Sequence, residues 1–322
     1  MIALADTSSA VWALFIILVV FFLALDLGVF HRHAHRVTFT EALFWTGVWF
    51  LCAMAFAFFI GPAMVHSWNR DDTIKFITGY VIELSLSMDN VFVIALLFAY
   101  FGVPQQLQHR VLFWGILGAL VMRGLMIGVG VVVIQEFQWV LYGMGAFLLF
   151  SGVKMTLSDD EAVHPEKNVV IRLVRKFYPV STSFEGQHFL TKIGGRRALT
   201  PLALVLVSVE TTDLLFAIDS IPAIFGVTSN GFIIFTSNVF AILGLRSLYF
   251  VLAGAIGYFR YLKVGLSVVL IFIGVKMLLD PHEHQPRWFQ VEIPTPVSLA
   301  IVGGIIATSI VISLAATRRQ RD

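Results

Sequence analysis

Charged side chains are scarce in this sequence. They make up 13% of the 322 residues, whereas hydrophobic residues make up 58%. Because a soluble domain carries about 25% charged residues, this chain has too little charge to cover a surface that faces water. The composition therefore predicts an all-α polytopic membrane protein, with no soluble domain attached to a membrane tail.

Cysteine is almost absent as well. The one cysteine, Cys52, stands in an apolar run, and a single thiol supports neither a disulfide framework nor a zinc or redox motif. The chain also lacks a glycine-rich phosphate loop, a nucleophile elbow and the His/Cys spacing of a metal site. Its basic loops are small and close to the membrane, which argues against nucleic-acid binding. We therefore predict neither an enzyme nor an organic cofactor.

Long apolar runs are what the sequence has in abundance. About 20 apolar residues are needed to cross roughly 30 Å of hydrocarbon. Runs of this kind predict nine spans, at residues 9–30, 41–62, 74–101, 108–134, 138–157, 198–225, 231–257, 262–280 and 295–316. The first run is too long for the core of a signal peptide and lacks a cleavage-site pattern, so we expect it to remain as a span.

Loops that are rich in lysine and arginine alternate along the chain with loops that are poor in them. They collect after the first span at 31–36, in the polar stretch 158–197, around 260–263 and in the tail at 318–321, and they are sparse in the intervening loops. Since short cytoplasmic loops carry an excess of Lys and Arg, the pattern predicts an external N-terminus and a cytoplasmic C-terminus. Within 158–197, the amphipathic piece 169–176 predicts a helix at the cytoplasmic membrane surface. We interpret this stretch as a structural linker, with a regulatory site as the alternative.

An internal repeat relates the third to fifth spans to the sixth to eighth. Three motifs recur at offsets of 122 to 124 residues: GVKM at 152–155 and 274–277, Arg123 and Arg246, and FGV at 101–103 and 225–227. Because each repeat contains an odd number of spans, the two copies enter the membrane from opposite sides. This arrangement is typical of secondary transporters with a midplane substrate site.

The repeat organises residues 1–322 as a single transmembrane domain. Its parts are two leading spans (9–73), the first repeat (74–157), a cytoplasmic linker (158–197), the second repeat (198–280) and a final span (295–316).

Five carboxyl groups lie in the middle of predicted spans. They are Glu83, Asp89, Glu210, Asp213 and Asp219. Each acid near a helix centre costs roughly 2.5–3.5 kcal/mol on insertion, and each Leu, Ile, Phe or Val returns only about 0.3–0.6 kcal/mol. Such residues persist when they face one another, a cation or water.

Helical spacing indicates which of the polar groups in the third span can share a site. At about 100° per residue, Glu83, Ser87 and Asn90 lie on one face, with Asp89 about 120° away. The sixth span differs, because Asp219 points away from Glu210. We expect the following proline, Pro222, to kink or break that helix, which would turn Asp219 inward and free backbone carbonyls as ligands.

These groups predict a midplane metal site. Its predicted ligands are Glu83, Asp89, Asn90, Glu210, Asp213, Asp219 and Ser220. Hard oxygen ligands suit Mg²⁺, Ca²⁺ and Mn²⁺ better than Cu⁺ or Zn²⁺. Two alternatives stay open: a proton relay without a metal, and carboxyls that only hold helices together, paired with Arg123, Arg246 or Lys154.

Four further polar residues are assigned structural or gating roles. Arg123 and Arg246 occupy equivalent repeat positions and are interpreted as counter-ions, and Asn238 as the source of a hydrogen bond between helices. Asp26, at the inner end of the first span, either lines a vestibule or pairs with the bases that follow it.

Three segments of the chain resemble those of a known family. The segments ELSLSMDNVFV at 83–93, FAIDSIPAIF at 216–225 and TSNVFAILGLR at 236–246 resemble the TerC family, named for tellurium resistance, and are most similar to its bacterial Alx-like members. The resemblance covers most of the chain. It implies a bacterial inner-membrane protein of the LysE-type exporter superfamily, with links to Mn²⁺ export, to metal supply for secreted enzymes, and to tellurite and alkaline pH. The family's intramembrane acids fall on the five carboxyls named above.

The sequence thus favours a secondary exporter of divalent metal, Mn²⁺ foremost with Ca²⁺ or Mg²⁺ as alternatives. Alternating access would rock one repeat against the other, with protons as possible counter-ions because closely placed carboxyls can hold them in exchange for metal. A rival hypothesis is a membrane scaffold without transport that serves a stress response through 158–197. A membrane redox enzyme is a third, disfavoured by the lone cysteine.

Overall fold

Helices account for almost all of the described chain. The computed structural model describes residues 7–28, 38–157, 169–253, 262–281 and 290–319. The helices are α1 (Ser9–Gly28), α2 (Phe39–Ala55), a π-helical turn (Phe56–Ile60), α3 (Gly61–Met64), α4 (Arg70–Tyr100), α5 (Gln105–Glu136), α6 (Val140–Leu157), α7 (Val169–Phe177), α8 (Pro201–Phe225), α9 (Gly231–Ala253), α10 (Leu262–Leu279) and α11 (Thr295–Arg319). The strands are β1 (Leu190–Ile193) and β2 (Arg196–Leu199).

The predicted fold class, an all-α polytopic membrane protein, is confirmed. Within the described residues, seven helices are long and apolar enough to cross a membrane, counting α2, the π turn and α3 as one. Each predicted span falls on a helix, but α1 and α10 are not among the seven. The count of nine crossings, the cellular membrane and the orientation of the termini therefore stay predictions.

Short polar signals set where the long helices begin. Asn69 caps α4 in a capping box with Asp72, and Thr38 forms the same box with Glu41 ahead of α2. Thr200 caps α8, whose first residue is Pro201. These side chains satisfy backbone N–H groups that have no partner within the helix, and proline is favoured at a helix start because it lacks that N–H.

The second predicted span contains an irregularity that the sequence analysis missed. The amide of Gly61 donates to the carbonyl of Phe56 five residues back, and the π turn at Phe56–Ile60 results. Pro62 follows directly, cannot donate a backbone hydrogen bond and cannot sit in a regular helix without clashing with the preceding turn. The wider π turn accommodates this proline, as insertions of this kind commonly do.

The expected break at Pro222 is wrong. α8 continues through this proline as one helix to Phe225. Pro222 removes one backbone donor to the carbonyl of Ile218, and the helix continues for three more residues without that bond, so only a kink stays a prediction.

The recurring glycines Gly152 and Gly274 lie where α6 crosses α10. A Cβ on Gly152 would stand 2.8 Å from the carbonyl oxygen of Ser267, and one on Gly274 would stand 2.7 Å from the amide nitrogen of Leu149. Gly152 thus meets the early part of α10, whereas Gly145 meets Gly274 near its end. The two helices run antiparallel, as opposite insertion of the two repeats requires. The repeat itself stays a prediction.

The linker is more structured than predicted. The helix expected at 169–176 is α7, but Ile171 is only 2% exposed and α7 contacts α8, so part of α7 packs on the helix bundle. Its place at a membrane surface stays a prediction. β1 and β2 form a hairpin around Gly194-Gly195, whose φ values of 56° and 79° suit a two-residue turn of positive φ.

Candidate functional site

Arg123 stands at the centre of a polar cluster inside the helix bundle. It projects from α5, is 1% exposed, and joins carboxylates of two other helices. Its Nη1 donates to Oε1 of Glu83 on α4. Its Nη2 donates to Oδ1 of Asp213 on α8 at 2.9 Å, and its Nε to Oδ2 of the same residue at 3.3 Å. One guanidinium therefore bridges the two predicted acid-bearing helices.

Amide and hydroxyl groups complete the coordination of the two carboxylates. Asn238 on α9 donates to Oε2 of Glu83 at 3.0 Å, and Ser87 donates to Oε1 at 3.2 Å. Asn90 donates to Oδ1 of Asp213 at 3.3 Å. The hydroxyl of Ser220 accepts from Nη1 of Arg123 at 3.3 Å. We call this set the central cluster: Glu83, Ser87, Asn90, Arg123, Asp213, Ser220 and Asn238.

All members of the central cluster are buried, with Asp213 the most exposed at 7%. Two ionised carboxylates and one guanidinium carry a net formal charge of −1. Buried ions persist when they are paired and hydrogen-bonded, because removing them from water costs several kcal/mol each. The guanidinium and the amide donors meet that requirement only partly, since the contacts among the described residues supply one cation for two carboxylates.

Two oxygen atoms in the central cluster have no donor. Oδ1 of Asn90 and Oδ1 of Asn238 are buried and find no hydrogen-bond partner among the described residues. Leaving a buried acceptor without a partner costs about 1–3 kcal/mol. Both amides also donate to the cluster's carboxylates, so two unpaired oxygens stand beside a region of negative charge. These carboxylate and amide oxygens are ligands of the kind that hard cations prefer.

Three of the predicted ligands lie outside these contacts. Asp219 accepts a hydrogen bond from Ser151 of α6 at 2.8 Å, with Lys154 close enough to interact electrostatically. Glu210 fits against Gly118 of α5, where a Cβ would collide with its carboxylate. Asp89 is half-buried on α4.

The structure therefore assembles part of the predicted site. Glu83, Asn90, Asp213 and Ser220 come together, and they are joined by Arg123 and Asn238, which were predicted to have structural or gating roles. In the part of the chain that the structure describes, no group of three or more His, Cys, Asp or Glu side chains is placed to hold a metal ion. Pairing with Arg123, the alternative left open for the carboxyls, is what the structure shows for Glu83 and Asp213.

Other sequence-predicted residues have mixed outcomes. Asn238 makes the interhelical hydrogen bond expected of it. Arg246 is buried, at 6% exposure. Asp26 belongs to α1, but its side chain lies outside the described residues. Sequence reasoning missed Gly118 and Ser151. Ser151 directly precedes a repeated GVKM motif, a signal that the analysis did not use.

A cavity of about 830 Å³ adjoins the central cluster. It lies among α1, α5 and α9, and its lining includes Trp12, Gly124 and Phe235. Gly124 follows Arg123 in the chain, and Phe235 precedes Asn238 by three residues, about one helical turn. The ring of Phe235 lies 3.1 Å from where a Cβ on Gly124 would be. This ring thus lines the cavity about one helical turn from Asn238 of the central cluster.

Comparisons with known proteins agree with one another. The family profile described as "Integral membrane protein TerC family" matches residues 68–321. An uncharacterized membrane protein of Myxococcus xanthus is 48% identical over 97% of this chain and 94% of its own length. The Alx protein of Escherichia coli K12, whose name describes a proposed membrane-bound redox modulator, is 43% identical over 94% of this chain and 93% of its own. No solved structure matches the chain.

Proposed function

Because this chain belongs to the TerC family of integral membrane proteins, and because its buried acids converge on one cation, we propose that it is a secondary transporter that exports a divalent metal ion, Mn²⁺ foremost, from the cytoplasm. One observation carries the proposal. Carboxylates of Glu83 and Asp213, from two different helices, meet at a single buried point beside two amide oxygens that have no donor.

The chemistry of this point suits Mn²⁺. Glu83 and Asp213 supply carboxylate oxygens, Asn90 and Asn238 supply amide oxygens, and Ser220 supplies a hydroxyl. A set of oxygen ligands favours Mg²⁺, Ca²⁺ and Mn²⁺, and the absence of thiolate and imidazole from the central cluster disfavours Cu⁺ and Zn²⁺. Two negative charges match a divalent ion in full.

The surroundings of the central cluster provide a route on either side. In the predicted orientation α8 begins at the cytoplasmic side, so Glu210 stands about one turn nearer the cytoplasm than Asp213 and would meet the ion first. The cavity bounded by Trp12, Gly124 and Phe235 lies on the outer side in the same orientation, and it would receive the ion after release.

Transport would proceed by alternating access between the two repeats. The close crossing of α6 and α10 at Gly152 and Gly274 joins the two predicted repeats, and we propose that the repeats rock about this contact. Protons are the proposed counter-ions, since carboxylates that lose the metal can take up protons in exchange.

Metal flux into proteoliposomes tests the export hypothesis. We expect Mn²⁺ uptake by the purified protein, at least about tenfold slower in Asp213→Asn, because that change lowers the charge of the site and one carboxylate contact is worth more than about 1.4 kcal/mol in a buried site. Asp89→Asn is compared in the same assay. Asp71→Asn is the matched control, because Asp71 pairs with Lys75 at the exposed start of α4. Equal flux in wild type and Asp213→Asn would contradict the proposal.

A redox-linked role is the second candidate, favoured by the name of the Escherichia coli relative. The only thiol is that of Cys52, which is partly buried in α2. A redox role through the chain's own chemistry would therefore depend on this residue or on a bound cofactor. Cys52→Ala protein that is free of flavin, haem and quinone, and that still restores the phenotype of a deletion strain, would remove this candidate.

A further inference from the structure

We propose that Arg123 is a tethered surrogate for the transported cation. Its guanidinium occupies the place between Glu83 and Asp213 when no metal is bound, and it leaves that place when the metal enters. This inference rests on the proposed function and deepens it, because it states what the substrate site holds in the empty state of the transporter.

The contacts of Arg123 place it where a substrate ion would have to bind. Nη1 points at Oε1 of Glu83, while Nη2 and Nε point at the two oxygens of Asp213. An ion that touches both carboxylates must displace these nitrogens, because the planar guanidinium fork lies between the oxygens that the ion would use. Arg123 and the metal are therefore mutually exclusive in this geometry.

Charge gives the exchange a direction. With Arg123 in place the central cluster has a net charge of −1, whereas a divalent ion in its place makes the charge zero. A divalent ion also needs more ligands than a guanidinium, and the two oxygens of Asn90 and Asn238 that lack donors are available to it. In the present arrangement the guanidinium does not use those oxygens, since its four hydrogen bonds go to the two carboxylates and Ser220.

The exchange requires Arg123 to leave the two carboxylates. We place the displaced side chain on the side of α5 where the next residue, Gly124, lines the 830 Å³ cavity against the ring of Phe235. After the metal departs, the guanidinium returns and again neutralises one carboxylate. The empty transporter can then change conformation without leaving two uncompensated negative charges in the membrane interior, a state that costs several kcal/mol per charge.

Another buried cation of the chain provides the contrast. Lys276 on α10 is 6% exposed, donates to the carbonyl of Gly226 at 2.8 Å and pairs with Asp280 at 2.9 Å. It holds the end of α8 and, among the residues that the structure describes, pairs with one carboxylate. Lys276 therefore serves as the matched control, because its loss removes a buried positive charge without opening a place for a divalent ion.

Thermal unfolding of the purified protein, with and without Mn²⁺, tests the exchange. In Arg123→Ala we expect a lower melting temperature without metal, and a rise on adding Mn²⁺ that exceeds the rise in wild type by about 5 °C or more, since the ion no longer competes with the side chain. Lys276→Ala is expected to be less stable while keeping the wild-type response to Mn²⁺. A response to Mn²⁺ in Arg123→Ala no larger than that of wild type would overturn the proposal.

Two further variants keep the test decisive if Arg123→Ala does not fold. Arg123→Lys keeps the charge but cannot reach both carboxylates as a fork, so its response to Mn²⁺ should be larger than that of wild type; an unchanged response would overturn the proposal. Arg123→Ala combined with Asp213→Asn removes one charge of each sign. It should have no enhanced response, and an enhanced one would place the ion elsewhere and also overturn the proposal.

Flux separates this inference from the export hypothesis. In proteoliposomes we expect Arg123→Ala to bind Mn²⁺ more tightly yet transport it at least about tenfold more slowly, because the ion is released less readily and the emptied site is uncompensated. Enhanced binding in a protein whose wild type shows no flux would support the surrogate and refute export. Wild-type flux, with Arg123→Ala unchanged in both binding and rate, would support export and refute the surrogate.

Discussion

The crossing of α6 and α10 leads to a stability prediction for Gly274→Ala. The added Cβ would stand 2.7 Å from the amide nitrogen of Leu149 and 2.8 Å from the carbonyl oxygen of Gly145. Both are backbone atoms and cannot rotate away. Ordinary contact begins at 3.4 Å, so the helices must separate by about 0.7 Å to admit one methyl group.

The expected cost follows from this separation. Overpacking of a tight interface costs about 1–3 kcal/mol, and the gain in helix propensity on replacing Gly with Ala is about 1 kcal/mol at most. We therefore expect a net loss of up to about 2 kcal/mol, which for a chain of 322 residues is up to about 3 °C in melting temperature. Gly152→Ala should behave similarly, and the double variant should lose less than the sum, because the first substitution already separates the helices.

The measurement is thermal unfolding in detergent, followed by tryptophan fluorescence. Gly303→Ala on α11 is the control, since nothing lies within 4 Å of its added Cβ and the gain in propensity is the same. We expect this control to be as stable as wild type or slightly more stable. The geometry is refuted if Gly274→Ala is no less stable than Gly303→Ala.

Two predictions concern the route of the ion. Gly118→Ala places a methyl group against the carboxylate of Glu210, so that carboxylate must move and Mn²⁺ flux in proteoliposomes should fall. Gly143→Ala on α6, where nothing lies within 4 Å of the added Cβ, should leave flux unchanged. Flux that survives the first change would remove Glu210 from the route. Phe235→Ala removes a ring that lines the outer cavity one turn from Asn238, so we expect Mn²⁺ to leak faster down its gradient, whereas Phe232→Ala, in the aromatic contacts of α1 and the π turn, should not raise the leak.

Much of the site could be predicted from the helical spacing of its residues and from the free-energy cost of burying charged groups. The expected face of Glu83, Ser87 and Asn90 is the face that α4 turns toward Asp213, because a regular helix fixes the angles between its own side chains. Helical spacing also placed Asp219 away from Glu210, and the structure has it hydrogen-bonded to Ser151 of α6. The expectation that a break at Pro222 would turn Asp219 inward is wrong, because α8 continues through that proline.

Burial cost alone showed that the intramembrane acids need partners, but it left the partners open. Arg123 was assigned as a counter-ion from its repeat position, while its role as the bridge between Glu83 and Asp213 depends on how α4, α5 and α8 cross. α8 is far along the chain from α4 and α5, and no local pattern encodes how the three helices cross. Gly118 illustrates the same point. Its role can be recognised only once the structure shows that the carboxylate of Glu210 packs against it.

Composition, apolar run length and the placement of charge by themselves determined that this chain is a helical membrane protein with acids at the depth where they are most costly. Those properties are local, since each helix forms its backbone hydrogen bonds within itself and must be apolar enough by itself to lie in the bilayer. Only the tertiary structure decided that two of the acids share one guanidinium while Asp219 turns to Ser151. The reason is that pairing between helices depends on their relative rotation and crossing, which side-chain packing along the whole bundle sets.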